Sequence, residues 1–193
     1  TVRVFHHENV LGTSLELKVA AADEAVAIRA EAAALAEIDR VAKVISTYDA
    51  SSDYSRWFKT QAVPVNVPVE LLEVFSLYDR WQAGSDGALN AGAEAISRVW
   101  QKAEVAQRLP EQGELDAAVA AARGPHWQLD RKAGSATHLT ATPLSLNSIG
   151  KGYIIGHACD AALKVSGVAG VVLNIGGDLC VRGELNEPVE LVN

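Results

Sequence analysis

LSLNSIGKGYIIGHACDAALKVSGVAGVVLNIGGD occupies residues Leu144 to Asp178. Leu144 to Asn147 alternates apolar and polar side chains, as a half-buried strand does, and runs into the glycine turn Ile149-Gly150-Lys151-Gly152. Ile154, Ala158, Ala161, Ala162 and Val165 then recur at helical spacing, and Gly167 stands where a helix end favours positive φ. Val171 to Ile175 reads as a buried strand closing on Gly176-Gly177-Asp178. Strand, glycine turn with a lysine, helix start and second strand together make a place to hold phosphate. Backbone N–H groups point outward at a helix start, missing Cβ atoms admit a ligand, and Lys151 adds charge. The other reading of such a turn is an ordinary tight connection.

Outward from this stretch, composition sets limits. With 193 residues, 49% of them hydrophobic, the chain can bury a core without a metal or disulfide staple. It reads as a single domain over 1–193, or two intimate halves. A formal net charge of −7 with no basic cluster argues against nucleic acid or an anionic membrane surface as partner. Cys159 and Cys180 are too scattered for a zinc site and read as buried thiols. No apolar run is long enough to span a bilayer. There is no methionine, so the sequence does not start at an initiator; a removed leader and a trimmed chain both fit.

Before the stretch, Thr1 to Phe5 alternates, His6-His7-Glu8-Asn9 breaks the pattern, and Leu15, Leu17 and Val19 resume it after Gly12-Thr13. This predicts a strand pair. His6 and His7 point to opposite faces of a strand and cannot jointly grip one metal. Asp23 caps a long alanine-rich helix with Ile28, Ala32, Leu35, Ile38, Ala42 and Ile45 in one stripe. It ends at Ser46-Thr47-Tyr48-Asp49, followed by a polar loop to Arg56, where Tyr48 either stacks on a flat ligand or packs on its own helix end. Pro68 introduces a second helix with Leu71, Val74, Phe75, Tyr78 and Trp81 inward. Ala88-Leu89-Asn90-Ala91-Gly92 is small enough for a backbone to approach a ligand closely, or simply begins a helix.

Further helices run through Ile96 to Ala103 and Glu114 to Ala122. Gln128 to Asp130, Thr137 to Ala141 and Leu144 to Asn147 read as short antiparallel strands. The order of elements argues for an α+β fold with a mainly antiparallel sheet and packed helices. A phosphate loop of the Walker type needs a glycine and a Ser or Thr where this chain has Ser145 and Gly152, so that reading fails. A dinucleotide-binding oxidoreductase is the runner-up, from Gly150-x-Gly152-x-x-x-Gly156 with Asp178 at the end of the next strand.

Gly12-Thr13, Ser46-Thr47-Tyr48 with Ser55-Arg56, Asp86 to Asn90, Trp100, Ile149 to Tyr153 and Leu173 to Asp178, in that order, resemble the FAD:protein FMN transferase (ApbE) family across essentially the whole chain. The resemblance implies an ApbE-like, T-fold-related architecture. It implies a magnesium-dependent flavin transferase that binds FAD, splits its pyrophosphate and esterifies FMN onto a threonine of a target redox flavoprotein. It also implies a periplasmic or cell-envelope setting in bacteria, often with tethering through a lipid anchor that lies outside this sequence.

Carried over position by position, the resemblance makes Leu11, Tyr48, Ala88, Leu89, Asn90, Ser145 and Lys151 contacts for FAD. It makes Ser148 a contributor to the metal site, leaves the catalytic residue unassigned, and gives Asp178 the task of fixing its turn. Two carboxylates usual in the family are replaced, by Asn90 and by Ser145. The family's C-terminal section, with its acidic and hydroxyl metal ligands, has no counterpart before Asn193, where Val189 to Asn193 still reads as a strand. The alternative function is a degenerate, non-catalytic flavin-binding relative.

Overall fold

A computed structural model describes residues 1–188; the strand expected over Val189 to Asn193 lies outside the described residues. The chain divides into two compact units, one formed by Thr1–Ala42 with the chain from Lys151 onward, the other by Lys43–Gly150.

The first unit is built on a four-stranded sheet in the order β1-β2-β6-β7. β1 (Val2–Val10) and β2 (Thr13–Ala21) form a hairpin, and β6 (Val168–Ile175) pairs with both β2 and β7 (Asp178–Gly183). Every pairing is antiparallel. A dinucleotide-binding unit needs parallel strands joined through a crossover helix, so the oxidoreductase alternative falls on this observation. The His6 to Asn9 segment does not break β1: the strand continues to Val10 with a shift of register between His7 and Val10. His6 pairs with Glu16 and His7 with Glu31, on separate partners as their opposite directions require.

Leu15, Leu17 and Val19 of β2 are buried alternately, the period of a strand with one covered face, whereas β6 buries Gly170 to Leu173 in one run and Ile175 after it. Helix α1 (Glu24–Ile45) starts under Asp23, whose Oδ1 accepts from the Val26 N–H at 2.8 Å. Its buried line runs through Ala27, Ala30, Ala34, Ile38 and Val41, whereas Ile28 is 46% exposed. The expected stripe is therefore rotated. In a helix with alanine on several faces, periodicity does not select one, and the small residues go where the backbone must approach its neighbours closely.

The largest change concerns the glycine stretch. Leu144 to Leu146 belongs to no strand, and helix α6 (Asn147–Leu163) already begins at Asn147. Gly150 and Gly152 are consequently inside a helix and form no turn. Gly150 has a packing reason: a Cβ there would lie 3.3 Å from Ile45 Cδ1, in the second unit's own interior. Beyond Gly150, Ile154, Ile155, Ala158, Cys159 and Ala162 of α6 are buried in the first unit.

The second unit holds a three-stranded antiparallel sheet ordered β3-β5-β4, made of β3 (Pro64–Asn66), β4 (Trp127–Asp130) and β5 (Ser135–His138). The polar loop expected after Tyr48 contains a helix, α2 (Asp53–Phe58), capped by the Ser52 hydroxyl, which accepts from Ser55 N–H at 3.0 Å. Helix α3 (Val69–Gly84) buries Leu71, Val74, Phe75 and Tyr78 as expected, but Trp81 is 51% exposed. Trp57, Phe75, Trp127 and His138 pack ring against ring, with Trp57 to Phe75 and Phe75 to Trp127 centroids both 4.5 Å apart. The remaining helices are α4 (Glu94–Val105), entered through a short 3-10 turn at Ala91–Ala93, and α5 (Gln112–Ala122).

Candidate functional site

In the second unit, the chain leaving α1 is folded back on its own hydroxyls. Ser46 Oγ accepts from the N–H groups of Tyr48 and Asp49 at 3.2 and 3.1 Å, and the Ser52 hydroxyl donates to the Ser46 carbonyl at 2.6 Å. This fixes the backbone under Tyr48 while its ring stays 83% exposed. The ring is held at its far end too, because Asn147 Nδ2 donates to the Tyr48 hydroxyl at 2.6 Å. An exposed aromatic face anchored at both ends has already lost much of the rotamer freedom that stacking would otherwise remove. The nearby Arg56 guanidinium is taken up by Asp53 and the Ser51 carbonyl.

Ser145 joins this group through the backbone. Its N–H donates to the Ala91 carbonyl at 3.0 Å, which seats the run before α6 beside the Ala88 to Gly92 segment. There the Asn90 side chain is engaged within the fold, accepting from Gly92 N–H and donating to the Ala122 carbonyl, each at 2.7 Å. It caps the 3-10 turn, so what Asn90 can offer a ligand is main chain. Ala88 and Leu89 are drawn in by Ser85, whose carbonyl accepts from Ala88 N–H and whose hydroxyl accepts from Leu89 N–H. Tyr48, Ala88, Leu89, Asn90, Ser145 and Ser148 all belong to this unit.

Sequence reasoning passed over two residues of this group. Asn147 was legible only as the last residue of a supposed strand, and nothing local pairs it with Tyr48. Tyr78 was expected only as core. Its hydroxyl is sealed from solvent and makes no hydrogen bond of good geometry, yet it lies against Ser148 and the Ile149 backbone at the start of α6. Burial pushes its pKa up, and those two neighbours hold part of the rise back.

The first unit brings together a different set. Leu11 and Gly12 form the two-residue β1–β2 turn with φ of 51° and 79°, a pair of left-handed residues of which only the second is glycine. Beside it, Gly176 N–H donates to the Ser14 carbonyl, and a Cβ on Gly176 would come within 2.6 Å of Thr13 Cγ2. The Gly176-Gly177 turn is fixed by Asn174, whose Oδ1 accepts from Gly177 N–H at 3.0 Å. Asp178 is used otherwise. Its carboxylate meets Lys151 Nζ at 2.9 Å, so the lysine expected to serve a phosphate has an anionic partner already.

Among the described residues no group of three or more His, Cys, Asp or Glu side chains is placed to hold a metal ion. Ser148 alone supplies one neutral hydroxyl, so these residues do not by themselves fit a magnesium site. No described helix is long and apolar enough to cross a membrane.

The sequence model of the ApbE family matches residues 11–191. The chain belongs to the ApbE family. No curated protein matches it. Among solved structures, ApbE flavinyl transferase from Pseudomonas stutzeri in its apo form is 22% identical with a TM-score of 0.78, over 95% of this chain and 61% of that one. A flavin transferase ApbE mutant from Vibrio cholerae is 20% identical with a TM-score of 0.78, over 95% and 63%. An ApbE protein from Thermotoga maritima is 19% identical with a TM-score of 0.79, over 94% and 59%. At such identities the likeness is one of fold, and the ApbE-like α+β architecture is what it establishes. The chain spans about three-fifths of the length of these structures.

Proposed function

We propose that this ApbE-family chain is a flavin transferase that takes FAD as substrate and places FMN on a threonine of a target redox flavoprotein. The observation that carries the reading is the doubly anchored, exposed Tyr48 ring, with Ser145 and the Ala88 to Asn90 segment assembled in the same unit. In this reading Tyr48 stacks on a flat ring of the nucleotide, Ser145 offers a hydroxyl, and Ala88, Leu89 and Asn90 meet it through main chain. Leu11 and Lys151 are carried over as FAD contacts from the family positions they occupy, and Ser148 as the metal contributor. Phosphoryl transfer rests mostly on positioning and charge neutralisation, which gives Lys151 the task of meeting phosphate once it exchanges Asp178 for the ligand.

Magnesium belongs to the proposal through the family. Because the described residues do not form its site, no step is routed through it. The same holds for a periplasmic or cell-envelope location with a lipid anchor, which rests on resemblance.

A non-catalytic flavin-binding relative is the second reading, favoured by neutral Asn90 and Ser145 where the family usually has carboxylates. Titration calorimetry with FAD, followed by mass spectrometry of an acceptor threonine peptide incubated with FAD, with and without Mg²⁺, separates the two. An FMN adduct on threonine is expected. FAD binding without transfer leaves the non-catalytic relative, and no binding removes both.

A further inference from the structure

Cys159 and Cys180 are the chain's two cysteines, and the flavin reading uses neither. Cys159 lies on the covered side of α6 with no exposed surface, while Cys180 sits half-buried in the edge strand β7. Cys159 Sγ is 3.7 Å from the Cys180 carbonyl oxygen, which puts the thiol of one within side-chain reach of the other residue. The same helix and strand are tied on both sides of the pair. Lys151 meets Asp178 at 2.9 Å and Asp160 meets Arg182 at 3.0 Å, so ion pairs join the helix to the strand on either side of the cysteines. Neither thiol has another cysteine in the sequence to pair with.

We propose that Cys159 and Cys180 are a redox modification site that forms a reversible intramolecular disulfide between α6 and β7, with Cys180 as the point of attack. The oxidant is a small-molecule or protein disulfide. The Cys180 thiolate attacks one of its sulfurs, forming a mixed disulfide and releasing one thiolate. Cys159 then gives up its proton and attacks Cys180 Sγ, expelling the second thiolate. The two cysteines lose two electrons and two protons, and the oxidant leaves as two thiols. Burial pushes the Cys159 thiol up in pKa, which makes the second step the slow one. The bond fastens the β6–β7 hairpin, and with it Asp178, to the helix that carries Lys151.

Reduced, folded protein is incubated with oxidised glutathione, quenched in acid and analysed by intact mass and non-reducing peptide mapping. The expected product is a monomer lighter by about 2 Da with the two cysteine peptides linked, reversed by dithiothreitol. Cys180→Ser is expected to stay unmodified, because Cys159 is out of reach of the oxidant, and Cys159→Ala to stop as a glutathione adduct on Cys180. A wild type that stops at the adduct, forms disulfide-linked dimers or does not react overturns the proposal, as does glutathione on Cys159 in Cys180→Ser. If Cys159→Ala does not fold, the wild type and Cys180→Ser decide the matter alone.

Discussion

Asn147 Nδ2 donates to the Tyr48 hydroxyl across 2.6 Å, joining residues 99 apart in sequence and holding an exposed ring in place. If that ring stacks on FAD, Tyr48→Ala weakens binding by about 0.5–1.5 kcal/mol through lost stacking. Asn147→Ala, which leaves the ring but frees its hydroxyl, weakens binding by a smaller amount, up to about 1 kcal/mol. Calorimetric FAD titration measures both. Circular dichroism should show nearly unchanged melting, since both groups are exposed.

Leu11 is a non-glycine residue held at φ 51° in a turn that demands left-handed backbone. Leu11→Asn relieves part of a cost of about 1–2 kcal/mol and raises the urea midpoint. The same variant loses apolar contact area, so FAD affinity falls if Leu11 touches the flavin. Stability and affinity moving in opposite directions would distinguish a strained contact residue from a merely strained turn.

Lys151 and Asp178 form a partly exposed pair at 2.9 Å, and such pairs contribute only about 0–1 kcal/mol to stability. Asp178→Asn should therefore leave melting nearly unchanged while removing the competitor for Lys151. FAD binding is expected to tighten in Asp178→Asn, to weaken in Lys151→Ala, and to lose part of its salt dependence in the latter. Titrations at two salt concentrations read all three.

Gly92, buried in the 3-10 turn, and Gly152, exposed on α6, should answer oppositely to alanine. A Cβ on Gly92 would fall 2.4 Å from His126 Nε2 and 2.9 Å from Ala122 Cα, so Gly92→Ala costs about 1–3 kcal/mol. Gly152, inside α6, has no atom within 4 Å of an added Cβ, and Gly152→Ala stabilises by about 0.5–1 kcal/mol. Urea unfolding of both variants provides the comparison.

His126 is buried, its Nε2 donating to the Ala122 carbonyl at 3.0 Å and its Nδ1 placed to accept from the Thr140 hydroxyl at 3.2 Å. Burial lowers its pKa below the ordinary 6.5; the Ala122 carbonyl opposes this and His138 adds to it. Above 6.5 both states are neutral and the group contributes no pH dependence. As the pH falls through 6.5 the unfolded chain takes up a proton that the folded chain resists, so stability drops until the folded pKa is reached. The fall in urea midpoint between pH 8 and pH 5 should be smaller in His126→Gln than in the wild type.

Strand β2 was legible because one of its faces is buried and a period of two follows from that, and β6 because its buried residues form one apolar run. The Asp23 cap was legible because a single residue's chemistry specifies it. β7 was not, although Gly176-Gly177 announced a turn, since its exposed pattern carries little alternation. Helix α2 was hidden in a run of hydroxyls that favour loops, and is held by Tyr54 and Trp57, which are buried by contacts far along the chain.

The glycine stretch shows the same boundary most sharply. Its residue types were sufficient to mark it, because glycine, lysine and a following apolar period are properties of the chain alone. Whether Gly150 and Gly152 made a turn or lay inside a helix depended on packing, in which Ile45 Cδ1 would stand 3.3 Å from a Cβ at Gly150. The α+β class and the order of most elements follow from residue types and periodicity along the chain. That Tyr48 is held by Asn147, that Asn90 is engaged by Ala122 and that Lys151 is paired with Asp178 emerges in the folded chain alone. Each of these contacts joins distant residues, and local periodicity carries no information about which of several compatible partners the folded chain brings within hydrogen-bonding distance.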